Sequence, residues 1–523
     1  MNTTPEPAVR ANLFAKIIAT IGPASETPDM VRRLIEAGVN VFRFNFSHGD
    51  LATHGVRLAV VRKVAEQMGV HVACLGDLQG PKIRIGVVPA SMGEPAPSGG
   101  GLVRVVCGQD VVLKRGIAES FVRQTLAGPE VVLAITYDKL IDEVQPGHKV
   151  LINDGAIRML ALTRDAAAGE LRCRVIVGGA ISSKKGINVP QSDLTAPAVT
   201  DRDWECVTWA VANCLDFLAL SFVRTAADIV VLREGIARCE RPPDCNDAPW
   251  IPIVAKIEMP QAVADLTAIV ETADAIMVAR GDLGVEMEIA KVPVVQKQIV
   301  AACNEYGRAC IVATQMLETM IDNAIPTRAE ASDVANAVFD GADAVMLSAE
   351  TATGKHPVLV VETMSRIIDA AETRIREIHR ASSPPMRLAA GHRATAALAH
   401  GAWDIAHDLS ARAVVCWSQN GGTARYLSQN NFVVPIFAYT SNPVSARRFA
   451  LLRGITPICA DPPASGKLSE WNATVDEHLL ARKAVDPGDF IVLLAGRPLG
   501  RAKATNTIAI HRIGEPTGGF REH

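Results

Sequence analysis

The chain has 523 residues, so more than one domain is expected, and its 49% hydrophobic content is sufficient for large buried cores. A net charge of −3 and only 4% aromatic residues argue against binding to nucleic acid or to an anionic membrane. No apolar run reaches the roughly 18 residues of a membrane span, and the N-terminus lacks a secretory signal. We therefore expect a cytoplasmic protein whose residues 1–12 form a flexible tail.

The 11 cysteines form no Cys-x-x-Cys pair and no cluster with histidine. Most of them, including Cys74, Cys214 and Cys310, lie in apolar stretches, where a cysteine usually behaves as a small core residue. The sequence therefore predicts reduced thiols rather than disulfides or a zinc site.

Short apolar segments alternate with helical patterns, which is typical of a parallel sheet with helical connections. Eight segments have the character of strands, and eight is the number that a (β/α)8 TIM barrel requires. A capping box from Thr327 to Glu330 predicts a helix that continues through Ala337. We assign residues 13–79 and 187–380 to the barrel. Its predicted strands are Lys16–Ile21, Val39–Phe44, Val72–Leu75, Phe217–Ser221, Ile251–Ala255, Ala275–Ala279, Ala309–Ala313 and Ala344–Leu347.

The regular spacing breaks after the third predicted strand, because residues 80–186 are far too many for a connecting loop of usually about 2–6 residues. Alternating apolar residues at Val103–Val106 and Leu171–Val177 predict strands within this segment. We therefore predict an inserted β domain, here called the insert, that lies on the barrel rim and acts as a lid over the substrate.

After the barrel, residues 381–391 include Ala-Ser-Ser-Pro-Pro, which indicates a linker. Residues 392–523 are predicted to form a separate C-terminal α/β domain. Its predicted strands are Ala413–Trp417, Val434–Tyr439, Phe490–Ala495 and Asn506–Ile510.

Polar residues follow six of the eight predicted barrel strands. The C-terminal ends of barrel strands form the active site in this fold, so six polar ends on one rim are difficult to explain as ordinary turns. These ends are Arg43–His48, Asp77, Lys256–Glu258, Arg280–Asp282, Thr314 and Ser348–Glu350.

Lys256 and Glu258 are two residues apart at a strand end, so their side chains point in the same direction. Asp282 follows the next strand. Two carboxylates from neighbouring strands suit Mg²⁺, which prefers oxygen ligands, whereas zinc would favour cysteine or histidine. A surface ion pair between Lys256 and Glu258 is the alternative, but it leaves unexplained why both residues end an apolar strand.

Lys256 would add a positive charge beside the metal, where the oxygens of a phosphoryl group would lie. Arg43 and Arg84 could donate further hydrogen bonds to a phosphate. The glycines of Arg280–Gly284 leave backbone N–H groups free at a helix start, where they favour an anion. The rim therefore predicts an enzyme for a phosphorylated acid.

Nine stretches of the sequence form a specific pattern when they are taken in order with the long insert. They are Lys16–Ser25, Asn45–Gly49, Gly80–Arg84, Lys184–Asn188, Lys256–Glu258, Met277–Gly284, Ala313–Leu317, Pro326–Glu330 and Met346–Thr351. This pattern closely resembles the pyruvate kinase family over nearly the whole chain. The resemblance implies the last step of glycolysis, in which a phosphoryl group passes from phosphoenolpyruvate to ADP and gives pyruvate and ATP.

The resemblance also implies roles for individual residues. Glu258 and Asp282 would hold Mg²⁺ or Mn²⁺. Lys256 would stabilise charge on the transferred phosphoryl group and on the enolate, and Arg43 would bind the phosphate.

The substrate carboxylate would be held by the backbone of Gly281 and Asp282 and by the Thr314 hydroxyl, according to the same resemblance. Thr314 and Ser348–Glu350 line the side from which the enolate receives its proton, but no single acid is assigned. The positions that match nucleotide contacts are Asn45, Ser47, His48, Arg84 and Lys185.

Asp154 matches a lid carboxylate that reaches the site when the lid closes, although an ordinary aspartate before Gly155 in a turn is an equal alternative.

Many members of the family also require a potassium ion, and this sequence departs from their pattern. Asn45, Ser47 and Asp77 match the usual potassium site, but Leu78 and Gln79 replace threonine and lysine.

Two further positions differ in the same way, since Lys82 replaces a glutamate and Ile85 replaces a threonine. This combination resembles the potassium-independent branch, because the fixed ammonium group of Lys82 could replace the monovalent ion. The alternative is a solvated loop lysine in an enzyme that still needs K⁺.

In the C-terminal domain, Ser418–Ala424 resembles the loop that binds an effector phosphate, with Gly422 where another side chain is often found. Gly496–Gly500 and Thr505–Thr507 resemble the second effector segment. Plain loops remain an equal alternative to a phosphorylated allosteric effector. The family resemblance also suggests a homotetramer.

Two other functions were considered. A 2-oxo-acid aldolase would share the Glu/Asp metal pair but would not need the long insert or the nucleotide-matching Arg84 and Lys185. A catalytically silent sensor would have lost at least one of four rim residues, and the sequence retains all four: Lys256, Glu258, Asp282 and Thr314.

Overall fold

A computed structural model describes residues 13–96, 99–126, 128–242, 245, 250–378, 393–515 and 518–521. The predicted flexible tail (1–12) and the predicted linker (381–391) lie outside the described residues. No described helix combines the length and the apolar character required to cross a bilayer.

Eight parallel strands form a closed barrel, which confirms the predicted fold. Each strand begins and ends within two residues of its predicted bounds, and pairing of the first strand with the eighth closes the barrel. In chain order, barrel strands 1 to 8 are Lys16–Thr20, Val39–Asn45, Ala73–Asp77, Phe217–Leu220, Ile253–Ile257, Ala275–Ala279, Ala309–Ala313 and Ala344–Leu347.

Helices cover the outside of the barrel and bury their apolar faces against it. The predicted capping box is present, because the Thr327 side chain accepts from the Glu330 N–H while the Glu330 side chain accepts from the Thr327 N–H. The helices are Pro28–Ala37, Leu51–Gln67, Asp201–Ala212, Ala226–Arg238, Pro260–Ala264, Leu266–Thr272, Arg280–Glu286, Val292–Tyr306, Arg328–Asp340, Ala349–Ala352 and Pro357–Ile378, with 3₁₀ turns at Ile289–Lys291 and Glu318–Ile321.

The insert is a β domain with a core of its own. It contains a seven-stranded sheet and a three-stranded sheet. Its strands are Glu94–Pro95, Gly101–Val105, Asp110–Lys114, Phe121–Thr125, Gly128–Ala134, Lys149–Ile152, Ile157–Asp165, Glu170–Val177, Gly179–Ser182 and Ile187–Asn188, with a helix at Leu140–Glu143 and a 3₁₀ turn at Ala90–Met92. The last of these strands lies just past residue 186, so the sheet of the insert extends two residues beyond the predicted boundary.

The C-terminal domain is a five-stranded sheet with helices on its faces. Ile455–Cys459 is an edge strand that was not predicted. It contains Pro457, which has no N–H to donate and is tolerated at an edge. The remaining strands are Ala413–Trp417, Ile436–Thr440, Phe490–Gly496 and Thr505–Arg512, and the helices are Arg393–Asp408, Gly422–Ser428, Pro443–Phe449 and Leu468–Ala481.

The C-terminal domain closes the end of the barrel opposite the rim. Ala450 and Leu451 pack into the apolar interior of the barrel. Arg447 donates to the buried carboxylate of Asp216, which directly precedes barrel strand 4, at 2.8 Å. The amide of Gln429 donates to Asp343, which directly precedes barrel strand 8, at 3.0 Å. Polar contacts therefore fix the N-terminal ends of these strands.

The prediction of reduced thiols is wrong for one pair, because the structure joins Cys214 and Cys245 in a disulfide. The two Cα atoms are 5.9 Å apart, within the range that a disulfide spans. The two cysteines are 31 residues apart and form no recognisable motif, so this pairing was not predictable from the sequence. Among the described residues, the other cysteines are free.

Asp343 should make the stability of the folded chain depend on pH. Burial raises its pKa to about 6, despite hydrogen bonds from Cys310 N–H and Gln429. Because the pKa in the folded state exceeds that of the unfolded chain, the contribution of Asp343 is complete below about pH 4 and is lost as the pH rises through 6. Relative to Asp343→Asn, the wild type should lose up to about 3 kcal/mol of unfolding free energy between pH 4 and pH 7.

Urea unfolding at several pH values measures this difference. Asp369→Asn, at an exposed carboxyl group, is the matched control and should follow the wild type. Parallel pH profiles for the wild type and Asp343→Asn would contradict the prediction.

Candidate active site

Lys256 lies at the centre of the rim, where three consecutive barrel strands bring their polar ends together. Its ammonium nitrogen is 2.9 Å from Glu258 Oε1 and 3.2 Å from Asp77 Oδ1. It also donates to the hydroxyl of Ser221 at 2.7 Å. The Lys256 side chain is therefore held between a carboxylate on each side and a hydroxyl group.

The charges in this cluster stabilise one another despite burial. Burial alone would lower the pKa of Lys256, but Asp77 and Glu258 more than compensate and raise it. Burial would likewise raise the pKa of Asp77, but Lys256 and Arg43 lower it. Lys256 thus remains an ammonium group and Asp77 a carboxylate at neutral pH.

Arg43 lies on the other side of Asp77. Its Nε is 2.7 Å from Asp77 Oδ2, and its Nη1 donates to the Thr20 hydroxyl at 3.0 Å. Both partners belong to neighbouring strands, so the guanidinium group is fixed in direction as well as in position. The rim therefore presents two fixed cations that share one buried carboxylate.

Glu258 and Asp282 are the two residues of the predicted metal pair. Glu258 is 1% exposed and accepts from the Phe222 N–H at 2.6 Å. Burial raises the pKa of Glu258, and the charge of Asp282 raises it further, against the opposing effect of Lys256. Two acidic groups that repel each other in a buried site favour a cation between them.

The ligand chemistry of this pair fits Mg²⁺ or Mn²⁺. Glu258 and Asp282 supply only oxygen atoms, which these hard cations prefer. Within the described part of the chain, no three His, Cys, Asp or Glu residues form a metal-binding group. Substrate and solvent oxygens would therefore have to complete the coordination.

Thr314 and Gly281 lie together at the start of the helix that follows barrel strand 6. The Thr314 hydroxyl accepts from the Gly281 N–H at 2.8 Å and donates to the Ala313 carbonyl at 2.6 Å. Thr314 has φ = 70° and Gln315 has φ = 52°, conformations that are strained for residues with side chains. A tight turn thus places the Thr314 hydroxyl next to the Gly281 N–H.

Arg280 fixes this turn, a role that the sequence analysis missed. Its guanidinium group donates to the carbonyls of Ala313 and Thr314 and forms an ion pair with Asp333 at 2.6 Å. The signal in the sequence was the place of Arg280 before Gly281 at a strand end, but the three partners named above are 33 or more residues away.

Ser221 and Thr20 were also missed as partners of the rim cations. Both lay at or near the end of a predicted strand, and that position was the available signal. In the short helix after the last barrel strand, Glu350 is buried and accepts from the Ser348 N–H at 2.6 Å, and burial raises the pKa of Glu350.

The nucleotide-matching residues fall into two groups. Three of them follow barrel strand 2, where the Asn45 side chain accepts from the Ser47 N–H at 3.1 Å and His48 is exposed. Arg84 and Lys185 lie at the base of the insert, on its outgoing and returning segments, and Arg84 donates to the Lys184 carbonyl at 3.0 Å.

Two positions that match the potassium site of other family members, Asp77 and Leu78, are held by protein contacts. Asp77 is engaged by Lys256 and Arg43 as described above. The carbonyl of the buried Leu78 accepts from the Ser221 hydroxyl at 2.7 Å. Lys82 lies farther along, 4.0 Å from Asp154 Oδ1.

The two C-terminal segments that resemble an effector site meet in space. The hydroxyls of Thr423 and Thr505 are 2.6 Å apart, and the Ser418 hydroxyl accepts from the Ala424 N–H at 3.1 Å. Gly422 is the first residue of the helix that follows the loop.

The chain was compared with known proteins. Two family models match it: "Pyruvate kinase, barrel domain" over residues 13–361 and "Pyruvate kinase, alpha/beta domain" over residues 396–511. A pyruvate kinase of Mycobacterium tuberculosis is 40% identical over 501 residues, which is 96% of this chain and 98% of that protein. One from Corynebacterium glutamicum is 38% identical over 502 residues, with the same coverage of 96% and 98%. The crystal structure of a pyruvate kinase from Cryptosporidium parvum superposes with a TM-score of 0.83 at 32% identity and 96% coverage of both chains.

Removal of the Glu258 charge should weaken divalent cation binding. Glu258→Gln keeps the size of the side chain and an oxygen that can accept from the Phe222 N–H. It leaves one carboxylate for the cation, so the Kd for Mn²⁺ should rise at least roughly 100-fold. Titration followed by electron paramagnetic resonance measures the free Mn²⁺. Glu271→Gln, at an exposed glutamate, is the control, and a Kd for Glu258→Gln within about threefold of the control would be evidence against the site.

Proposed function

The chain belongs to the pyruvate kinase family and is a phosphotransferase, and we propose that its barrel rim transfers a phosphoryl group from phosphoenolpyruvate to ADP. The products are pyruvate and ATP, which places the reaction at the end of glycolysis in the cytoplasm. The observation that carries this assignment is the buried Lys256 ammonium group, held between Asp77 and Glu258 next to Arg43.

Each group on the rim has a task in this reaction. The fixed cations Lys256 and Arg43 would bind the phosphoryl oxygens, and Lys256 would also donate to the enolate oxygen as the phosphorus–oxygen bond breaks. The Thr314 hydroxyl and the N–H groups of Gly281 and Asp282 would hold the substrate carboxylate. Lys256 and Arg43 are held in place by protein contacts before substrate binds, which limits the reorganisation that the reaction requires. The Gly281 N–H and the Thr314 hydroxyl would exchange their present partners for the substrate carboxylate.

Glu258 and Asp282 would hold Mg²⁺ or Mn²⁺. When bound there, such a cation neutralises charge on the phosphoryl and enolate oxygens. The insert would close over the rim and keep water from competing with ADP for the phosphoryl group. Asn45, Ser47, His48, Arg84 and Lys185 would contact the nucleotide, and Asp154 would approach it from the insert.

Turnover should depend strongly on Lys256. Lys256→Met keeps most of the volume of the side chain but removes the charge, so kcat for pyruvate formation from phosphoenolpyruvate and ADP should fall by several powers of ten. A coupled lactate dehydrogenase assay measures the product, and a Mn²⁺ titration checks that the metal still binds. Lys291→Met, at an exposed lysine, is the control. A loss smaller than about tenfold, or 1.4 kcal/mol, would contradict the role of Lys256.

The same proposal includes independence from potassium. Lys82 Cε lies beside Gly186, where an added Cβ would be 3.1 Å away, so the lysine is confined between the two segments that join the insert to the barrel. Its ammonium group would supply the positive charge that a monovalent cation gives in other members of the family. Those members also carry different residues at the positions of Leu78, Gln79 and Ile85.

Activity should therefore be similar in buffers containing K⁺, Na⁺ or Tris. Lys82→Ala should lose activity and recover part of it with added K⁺, because the ion could replace the lost charge. Lys139→Ala, at an exposed lysine of the insert, is the control and should respond as the wild type does. Negligible wild-type activity without K⁺, restored by K⁺, would contradict independence.

Two further properties belong to this proposal. Ser418–Ala424 and Thr505–Thr507 would bind a phosphorylated allosteric effector, because the Thr423 and Thr505 hydroxyls bring the two segments together. The assembly would be a homotetramer, in line with the family resemblance.

A further inference from the structure

The helix Arg280–Glu286, which carries Asp282, also supports the insert at two points. At the first, the insert turn Asn153–Gly155 lies against Val285, since a Cβ added at Gly155 would be 3.8 Å from Val285 Cγ1. At the second, Asn188 Nδ2 donates to Glu286 Oε1 at 2.7 Å. One short helix therefore contacts both the metal pair and the insert.

Glu286 is placed to connect these two regions. It lies four residues after Asp282, one helical turn away and on the same face of the helix. It is 5% exposed, and Asn188 is 7% exposed, so their hydrogen bond is shielded from water. A buried carboxylate that lost this partner would incur a large desolvation penalty, which favours the arrangement seen here.

Asn188 transmits its position to the turn that holds Asp154. It pairs with Leu151, and Ile187 pairs with Ile152, in the strand that leads directly into this turn. The Asn153 N–H also donates to the Gly186 carbonyl at 3.0 Å. A shift of Asn188 would therefore move the turn with it.

The surrounding packing leaves room for such movement. A cavity of about 40 Å³ lies between the outgoing segment, at Pro81–Ile83, the returning segment, at Ile187–Val189, and Glu286. The two segments are joined to each other beside this cavity, because the Ile187 N–H donates to the Ile83 carbonyl at 2.9 Å. The hydrogen bond between Asn188 and Glu286 links the joined segments to the helix Arg280–Glu286.

We propose that Glu286 is a positioning residue that, through Asn188, couples the position of the insert to cation binding at Glu258 and Asp282. Adjustment of Asp282 to a bound cation would turn or shift the short helix, and Glu286 would carry that movement to Asn188 and the Asp154 turn. The proposal deepens the proposed function, on which it rests for the identity of the metal pair.

Hydrogen–deuterium exchange with mass spectrometry tests this coupling in the full chain. In the wild type, saturating Mg²⁺ without substrate should slow exchange in residues 150–156 and 186–190 by at least about fivefold. In Glu286→Ala and in Asn188→Ala the effect should fall below about twofold. Glu286→Gln should retain most of it, because the amide oxygen still accepts from Asn188.

Two controls separate coupling from general damage. Glu288→Gln changes an exposed glutamate just beyond the helix, and Asn430→Ala removes an equally buried asparagine from the C-terminal domain. Both should keep the full response to Mg²⁺. A contact that serves stability alone would lower the melting temperature in Glu286→Ala and leave the response to Mg²⁺ unchanged.

The proposal is overturned if Mg²⁺ binds the wild type without slowing exchange in these segments, or if the alanine variants respond fully. It is also overturned if Glu286→Gln behaves like Glu286→Ala. The measurement needs neither phosphoenolpyruvate nor ADP. If the chain shows the coupling but forms no pyruvate, only the proposed transfer reaction is refuted. If it forms pyruvate but shows no coupling, only the coupling is refuted.

Discussion

The neutralisation of one buried ammonium group, that of Lys256, is the interaction on which the rest of the rim depends. An isolated charge at this depth would be very costly, so the fold must supply partners from several strands. Asp77 ends barrel strand 3, Ser221 follows strand 4, and Glu258 follows strand 5. The site therefore exists only if these three strands are in register, and Arg43 on strand 2 depends on the same Asp77.

At the opposite end of the barrel, a second buried charge is neutralised by residues from distant parts of the chain. Asp216 directly precedes strand 4, and its buried carboxylate accepts from Arg62 of a barrel helix and from Arg447 of the C-terminal domain. Strand 4 is thus fixed at one end by Asp216 and brings Ser221 to Lys256 at the other. The C-terminal domain thus contacts the residues that precede barrel strands 4 and 8, and each of these strands is only four residues long before it reaches the rim.

Much of this arrangement follows from local sequence patterns. Apolar segments of strand length predict all eight barrel strands. The polar residues at their ends predict that the side chains of Lys256 and Glu258 lie together on the rim. Contacts between distant residues were not predictable in the same way. Asn188 and Glu286 are 98 positions apart, and each looks like an ordinary polar residue in its own segment. The Cys214–Cys245 disulfide and the proline-containing edge strand were missed because the decisive information was tertiary.

The most direct test of the central claim is a crystal of the chain soaked with Mn²⁺ and pyruvate and measured at a wavelength that gives anomalous signal from manganese. We expect one strong peak at coordination distance from Glu258 and Asp282, with the pyruvate carboxylate at Gly281 and Thr314 and its carbonyl oxygen facing Lys256. A fully occupied manganese peak away from this pair, or pyruvate bound with its carboxylate on another side of the rim, would contradict the account.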